Sequence, residues 1–333
     1  MKVISSLGVA FTYVGTIVGA GFASGQELKS YFVDFGVYGM IGLLVASFFI
    51  YFLGKKIMLI CKENNISTYD KLLTLISNNA VGKIFDFLIT IFLIGTITTM
   101  CSGMGTLLDQ VFNIPLWIGS LFLILFSVLV VKRGINEISK LNILIVPILI
   151  FVTIIVSITS FGGFDNISFA CDVNVSKSML FAILYVAYNV VMSISILPAL
   201  AVGSDKRSIK NGSLYAGIII LILSFLIALA LLTNYDIIQN VEIPLAVLSN
   251  KYIGFYIMVF ILEVFSTAVS SLYGVYARIN KKNDMLYIVS LVAYCFSLFG
   301  FSNLVTYLYG VMGIIGAFMI FVLLKGVKEW EKE

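Results

Sequence analysis

Long apolar stretches alternate with short polar ones along nearly the whole chain. Stretches long enough to cross a hydrocarbon core, which takes roughly 20 residues, fall at Ser5–Asp34, Tyr38–Ile60, Ile84–Leu108, Leu116–Val131 and Leu141–Ser160. Five more follow at Ser178–Val202, Gly212–Thr233, Tyr252–Ile279, Met285–Gly300 and Leu304–Leu324, so the pattern predicts ten helical spans. The first is overlong and interrupted. From Thr16 to Glu27 it reads TIVGAGFASGQE. In lipid every backbone N–H and C=O needs an internal partner, so a glycine-rich break at membrane depth survives only beside protein or a water-filled cavity. Secondary transporters place binding sites at such breaks. Ser24 and Glu27 have the S-x-x-E spacing of a capping box, which predicts that a new helix starts there. Gly15/Gly19 and Gly21/Gly25 are also G-x-x-x-G pairs, which serve close helix packing. Packing alone does not call for Ser24, Gln26 and Glu27 beside the glycines, so the broken helix is preferred.

The polar stretch 162–177 divides the spans five and five, into residues 1–161 and 178–325, with a tail at 326–333. An odd number of spans per half turns the halves in opposite directions, as in inverted-repeat transporters. The second half is then expected to break near its own start, where Tyr188, Asn189, Ser193, Ser195 and Pro198 interrupt Ser178–Val202. Between spans, Asn234–Lys251 with Pro244 reads as a short helical lid, and Lys62–Lys83 as a segment lying along the membrane surface.

Composition agrees with a bilayer: 60% of residues are hydrophobic, 11% charged, and the mean hydropathy is +1.08. Lys and Arg of short loops stay on the cytoplasmic side. With both ends inside, only Lys29, Lys177 and Lys251 of the 21 basic residues fall outside. The net charge of +4 then reflects topology, and no basic groove for nucleic acid remains. Met1-Lys2 leads into a retained first span, since no cleavage site follows a short apolar core. Cys61, Cys101, Cys171 and Cys295 have no metal-ligand spacing and imply no disulfide.

On the eighth span Glu263, Thr267, Ser270, Ser271 and Gly274 form one polar stripe. Hydroxyls at this spacing can face one ion, and a carboxylate at membrane depth marks an ion path or proton relay. For any single Ser or Thr, bonding to the preceding turn or tight helix packing is the preferred reading, and for the whole stripe it is function. The third span has a similar face, Gly95, Thr98, Thr99, Ser102, Gly105 and Thr106, suited to close packing or to solute contact through Thr99 and Ser102. On the sixth, Tyr185, Tyr188 and Asn189 are placed to line a cavity. The run GAGFASG imitates a dinucleotide fingerprint, but no strand precedes it. An enzyme is disfavoured: the chain has no His, no Cys/His cluster and no paired carboxylates within a span.

The first and eighth spans together resemble the amino acid–polyamine–organocation superfamily with its leucine-transporter-type fold. The run GTIVGAGFASGQE at Gly15–Glu27 brings the likeness closer to the bacterial YkvI-like permeases, over essentially all 333 residues. The resemblance implies an all-α membrane protein of ten helices in a five-plus-five inverted repeat, with the first and sixth helices discontinuous. It implies cation-coupled transport of a small organic solute, an amino acid or related amine, by alternating access in a bacterial plasma membrane. Sodium, the one ion or cofactor implied, would sit between the carbonyls of Gly15, Val18 and Thr267 and the hydroxyls of Ser270 and Ser271. Backbone groups of Gly19, Ala20, Gly21, Phe22 and Ala23 would meet the solute, with Tyr188 and Asn189 opposite. Proton-coupled members often carry a Lys in the fifth span. Here the nearest is Lys140 at its start, which favours sodium over a proton. Glu263 is the residue a proton or ion relay would use. The rival expectation is a receptor of the same fold that binds a ligand without moving it, as in spore-germination permease-like subunits.

Overall fold

The computed structural model describes residues 3–77, 79–163, 174–239, 241, 244–249, 252–299 and 315–320. The described residues are helical throughout, apart from short connections and an isolated bridge between Ile4 and Ser204. The first expected span is three pieces: α1 (Ser6–Ile17), α2 (Ala20–Ser24) and α3 (Gln26–Tyr31). Then follow α4 (Gly36–Glu63), the surface helix α5 (Tyr69–Ile76), α6 (Asn79–Phe112), α7 (Leu116–Arg133) and α8 (Ile135–Thr159). The second half begins with α9 (Val175–Ser193) and, past a turn, α10 (Leu197–Val202), with Pro198 in its first turn. It continues with α11 (Lys206–Leu232), the small helices α12 (Tyr235–Ile238) and α13 (Pro244–Leu248), then α14 (Ile253–Arg278) and α15 (Asn283–Ser297).

Local chemistry explains the boundaries. The Ser5 side chain caps α1 by accepting from Gly8 N, Asn174 caps α9 from Lys177 N, and Asp205 caps α11 from Ser208 N. Gly25 adopts φ 77°, a left-handed conformation open to glycine, and turns the chain from α2 into α3. The expected capping box does not form there. Ser24 Oγ donates to Gly21 O at 2.9 Å and accepts from Gln26 N at 3.1 Å, while Glu27 turns away to another helix. The second break lies at 194–196, just after Tyr188-Asn189 rather than at that pair.

Among the described residues seven helical stretches are long and apolar enough to span a bilayer, and the shorter Ser6–Ile17 and Asn283–Ser297 are apolar too. The tenth expected span lies outside the described residues except for a helical piece at 315–320. Most of the connection 162–177 and the tail 326–333 lie outside them as well. The lipid-facing surface is plainly apolar: Phe48, Phe122, Leu144, Phe151 and Leu291 are each more than half exposed. The interior holds the polar stripes. That inversion of ordinary burial is what a hydrocarbon solvent selects.

Packing brings the discontinuous segments to the centre. α1 lies against α8, α11 and α14, and α9 lies against α4. α14 spans the third, fourth and fifth helices through α6, α7 and α8. Ile4 N bonds Gly203 O at 2.9 Å and Lys206 pairs with Glu63 at 2.7 Å, so these loops share one end of the bundle. At the other end Lys29 pairs with Asp34 at 3.3 Å, Tyr235 OH donates to Asp34, and Asn234 donates to Ser160 O.

Candidate functional site

The centre of the site is where α1 stops. Val18 N still bonds Val14 O at 2.8 Å, but Val18 has ψ 99° and Gly19 is extended, so the helix ladder ends. The carbonyls of Gly15 and Val18 turn to side chains of α14. Ser266 Oγ lies 2.9 Å from Gly15 O and 2.7 Å from Asn142 Oδ1 of α8. Thr267 Oγ1 lies 3.0 Å from Val18 O and 3.4 Å from Gly15 O. Five oxygens thus meet here with the hydroxyl protons of Ser266 and Thr267, beside the buried Asn142 Nδ2, which has no partner among the described residues. All are buried, and hard oxygen donors gathered at one point suit a small cation.

The glycines make this approach possible. A Cβ on Gly15 would run into Ser266 Oγ and come within 3.0 Å of Asn142 Oδ1, and one on Gly19 within 3.1 Å of Thr267 Oγ1. The break and the packing pair are therefore the same device: α14 can reach the carbonyls because no side chain stands between.

The second break meets the same helix. A Cβ on Gly274 would sit 2.5 Å from Ser195 Cβ in the 194–196 turn. Seven residues of α14, about 10 Å at the helical rise, thus separate its contact with one break at Thr267 from its contact with the other at Gly274. Ser270 and Ser271 fall between these contacts on the same face, and their buried hydroxyls have no hydrogen-bond partner among the described residues.

Comparison with known proteins agrees with this geometry. Residues 3–169 match the family described as spore germination protein, the spore permeases. The uncharacterized membrane protein YkvI of Bacillus subtilis is 30% identical over 328 residues, covering 95% of this chain and 94% of that one. The chain belongs to this family of YkvI-like permeases. The uncharacterized protein YyaD of the same organism is 26% identical over 323 residues, 93% of this chain and 94% of its own. In fold, the permease resembles a Na+-coupled sialic acid symporter, with TM-score 0.69 at 15% identity over 94% of this chain and 77% of that one. It also resembles Mhp1, a nucleobase-cation-symport-1 family transporter, with TM-score 0.59 at 14% identity over 93% and 77% of the two chains. The fold is thus the leucine-transporter type, and the protein is a multi-pass permease, not an enzyme.

Several site residues expected from the permease sequence occupy other roles in the folded chain. The Tyr188 hydroxyl donates to the carboxylate of Glu27 on α3, which lies against Gly21 of the broken stretch. Tyr31, Tyr185 and Tyr188 pack around this pair with centroid separations of 5.5 to 5.9 Å, and Phe32 lies edge-on to Tyr185 at 4.9 Å. Gly21 makes room, since a Cβ there would overlap the Glu27 carboxylate. Phe22 and Ala23 are buried on α2, as is Asn189 on α9, which donates to Tyr185 O at 2.9 Å and leaves Oδ1 unpartnered. Ala20 begins α2. On α6, which packs against α14, Thr99 bonds back to Gly95 O at 2.9 Å, whereas the Ser102 hydroxyl is buried and unpartnered. Glu263 is 1% exposed, one turn before Ser266 and Thr267, with Oε2 unpartnered.

Sequence reasoning missed Glu27, Asn142 and Ser266 as site residues. Glu27 fits a capping box by local spacing, although a carboxylate at that depth is itself a signal. Asn142 stands two residues past Lys140, in a span read only for a basic side chain.

Proposed function

We propose that this permease is a sodium-coupled secondary transporter that moves a small organic solute, an amino acid or related amine, by alternating access. The observation that carries the reading is the cluster of buried oxygens where the first break meets α14. The carbonyls of Gly15 and Val18, the hydroxyls of Ser266 and Thr267 and Asn142 Oδ1 would hold the ion. Thr267 keeps a place in the site through its hydroxyl, and Ser270 and Ser271, one turn along, would line the space between the two breaks and meet ion or solute there. Ser102 and Asn189, each with a buried polar atom in need of a partner, are the further side chains assigned to the solute, beside the backbone of Gly19 to Ala23. The amino acid class follows from the superfamily likeness, and a Na+-coupled symporter among the similar folds supports the ion.

An ion joining α1 to α14 favours one conformation, so ion and solute must raise each other's affinity by the same factor. In proteoliposomes, an inward sodium gradient is expected to drive accumulation of a labelled amino acid or amine. Ser266→Ala with Thr267→Ala should abolish the sodium dependence of its binding. If wild-type binding ignores sodium and follows pH, and Glu263→Gln removes that pH dependence, the coupling ion is a proton. The family description as a spore germination protein favours a second reading, a receptor. Sodium-independent binding of the same solute without accumulation or exchange would establish it.

A further inference from the structure

Gly8, Thr12 and Gly15 recur on α1 at steps of four and three, so they share one face, and both glycines of that face meet α8. A Cβ on Gly8 would come within 2.6 Å of Ser139 Oγ, and one on Gly15 within 3.0 Å of Asn142 Oδ1. Asn136, Ser139 and Asn142 climb α8 three residues at a time toward the first break, where Asn142 Oδ1 lies 2.7 Å from Ser266 Oγ. The seam between the two helices is polar on the α8 side and, save for Thr12, bare of side chains on the α1 side. It runs about 10 Å along α1 from Gly8 to Gly15.

Its polar atoms have one property in common. Thr12 and Asn142 are fully buried and Ser139 is 3% exposed, yet Thr12 Oγ1, Ser139 Oγ and Asn142 Nδ2 have no hydrogen-bond partner among the described residues. Asn136 Oδ1, near the start of α8, has none among them either. Hydroxyls within a helix ordinarily bond back to the preceding turn, and Thr16, Ser193, Ser204, Ser213 and Ser224 all do so. Packing does not account for the row, because Ala and Val would fill the same seam without forfeiting the solvation of its polar groups. Buried groups of this kind are served by water or an ion. Here they lie in file instead of around one point, and Asn142 Nδ2, a donor, calls for water between itself and any cation. A file of neutral hydroxyl and amide groups lets a cation move along it where a fixed charge would hold it back. It also lacks the carboxylates that divalent sites gather.

The file ends under Ile4. This side chain is 5% exposed, its Cγ2 would lie 2.8 Å from a Cβ on Gly8, and Ile4 N bonds Gly203 O at 2.9 Å. The residue over the end of the seam is thus held by the connection between α10 and α11.

We infer that the seam between α1 and α8 is a hydrated passage for a monovalent cation, joining the oxygens of the first break to the end of the bundle that holds Ile4, Glu63 and Lys206, with Ile4 as its plug. A cation on this route reaches its oxygens without crossing the space beside Ser270 and Ser271. That the passenger is the coupling ion rests on the sodium-coupled function proposed above; the passage itself does not.

Silver ion is the probe, a monovalent cation close in size to sodium that prefers soft thiolate ligands. In the full-length protein with its 4 native cysteines replaced, the single cysteines Thr12→Cys and Ser139→Cys are treated with silver nitrate in detergent, in chloride-free sodium or choline nitrate. Capture is read as protection from alkylation after denaturation. Val9→Cys and Ala10→Cys, fully buried on other faces of α1 at the same depth, are the comparison pair. Both seam cysteines should be protected about tenfold faster than that pair. Ile4→Ala removes the plug and should speed both again by about tenfold, leaving the comparison pair unchanged. Sodium in place of choline should slow capture at Thr12→Cys, which stands nearer the break. If neither seam cysteine outpaces the comparison pair, or if Ile4→Ala speeds all four alike, the passage is overturned. If the seam cysteines capture silver as expected and ignore sodium, the passage stands and the sodium-coupled function falls. Should Thr12→Cys fail to fold, the rate at Ser139→Cys with and without Ile4→Ala decides, and an unchanged rate overturns the inference.

Discussion

At the scale of single residues, space decides more than chemistry. Gly21 bears no functional group, yet its missing side chain is the volume that the Glu27 carboxylate occupies beneath Tyr188. Gly21→Leu should therefore eject Glu27 from its aromatic surround and abolish solute binding in a protein that still folds; equilibrium binding to the purified variant checks this. Unchanged affinity would mean that the docked position of α3 has no part in the site. Tyr188→Phe removes the donor and leaves a buried carboxylate oxygen unsatisfied. Its expected cost is about 1–3 kcal/mol, read as a lowered unfolding midpoint, and the loss should be smaller in a Glu27→Gln background because the two groups act as a pair.

Among elements, α14 is the common wall on which both broken segments lean. Its polar stripe is a sequence of three jobs along one face: Ser266 and Thr267 meet the first break, Ser270 and Ser271 lie between, and Gly274 admits the second. The last contact is as tight as the first. Gly274→Ala should displace the 194–196 turn, and overpacking of this kind costs about 1–3 kcal/mol. Hydrogen exchange should show faster opening confined to the second break and to α14 near it. Uniform exchange would place the strain elsewhere. By contrast, Thr96, Thr98 and Thr99 on α6 all bond back to their own helix, so the threonines of the third span serve packing more than the stripe of α14 does.

For the whole molecule, the ends of the bundle can be assigned from contacts that cross between halves. Ile4, Glu63, Gly203 and Lys206 gather at one end, and Asp34, Ser160, Asn234 and Tyr235 at the other, as alternating spans require. The first of these ends is rich in basic residues, which the positive-inside rule expects on the cytoplasmic side. With the 4 native cysteines replaced, single cysteines at Lys71 and Lys206 should react with an impermeant thiol reagent only after the membrane is opened. Cysteines at Asp165 and Glu242 should react in intact cells. Labelling at Lys206 and Glu242 from the same side would demand a different number of spans. The Tyr31, Tyr185 and Tyr188 cluster lies between α3 and α9, toward the end that holds Asp34.

The sequence by itself determined the class of solvent, the long apolar helices among the described residues and the location of the first break, because each depends on local composition. Hydropathy over about 20 residues separates lipid from water, and glycines at 15, 19, 21 and 25 weaken the helix over one short stretch. It also determined that α14 has one polar face, since helical periodicity is a property of spacing alone. What spacing leaves open is the height along that face. Residues 266–267 and 270–271 are one turn of about 5.4 Å apart on the same side, and only the docking of α1 against α14 decided that the former meet the carbonyls. Likewise Glu27 had a plausible local partner in Ser24 and found a better one on a helix 161 residues away. A buried carboxylate is drawn to whatever donor the tertiary packing brings within reach, and that choice is written in no local pattern.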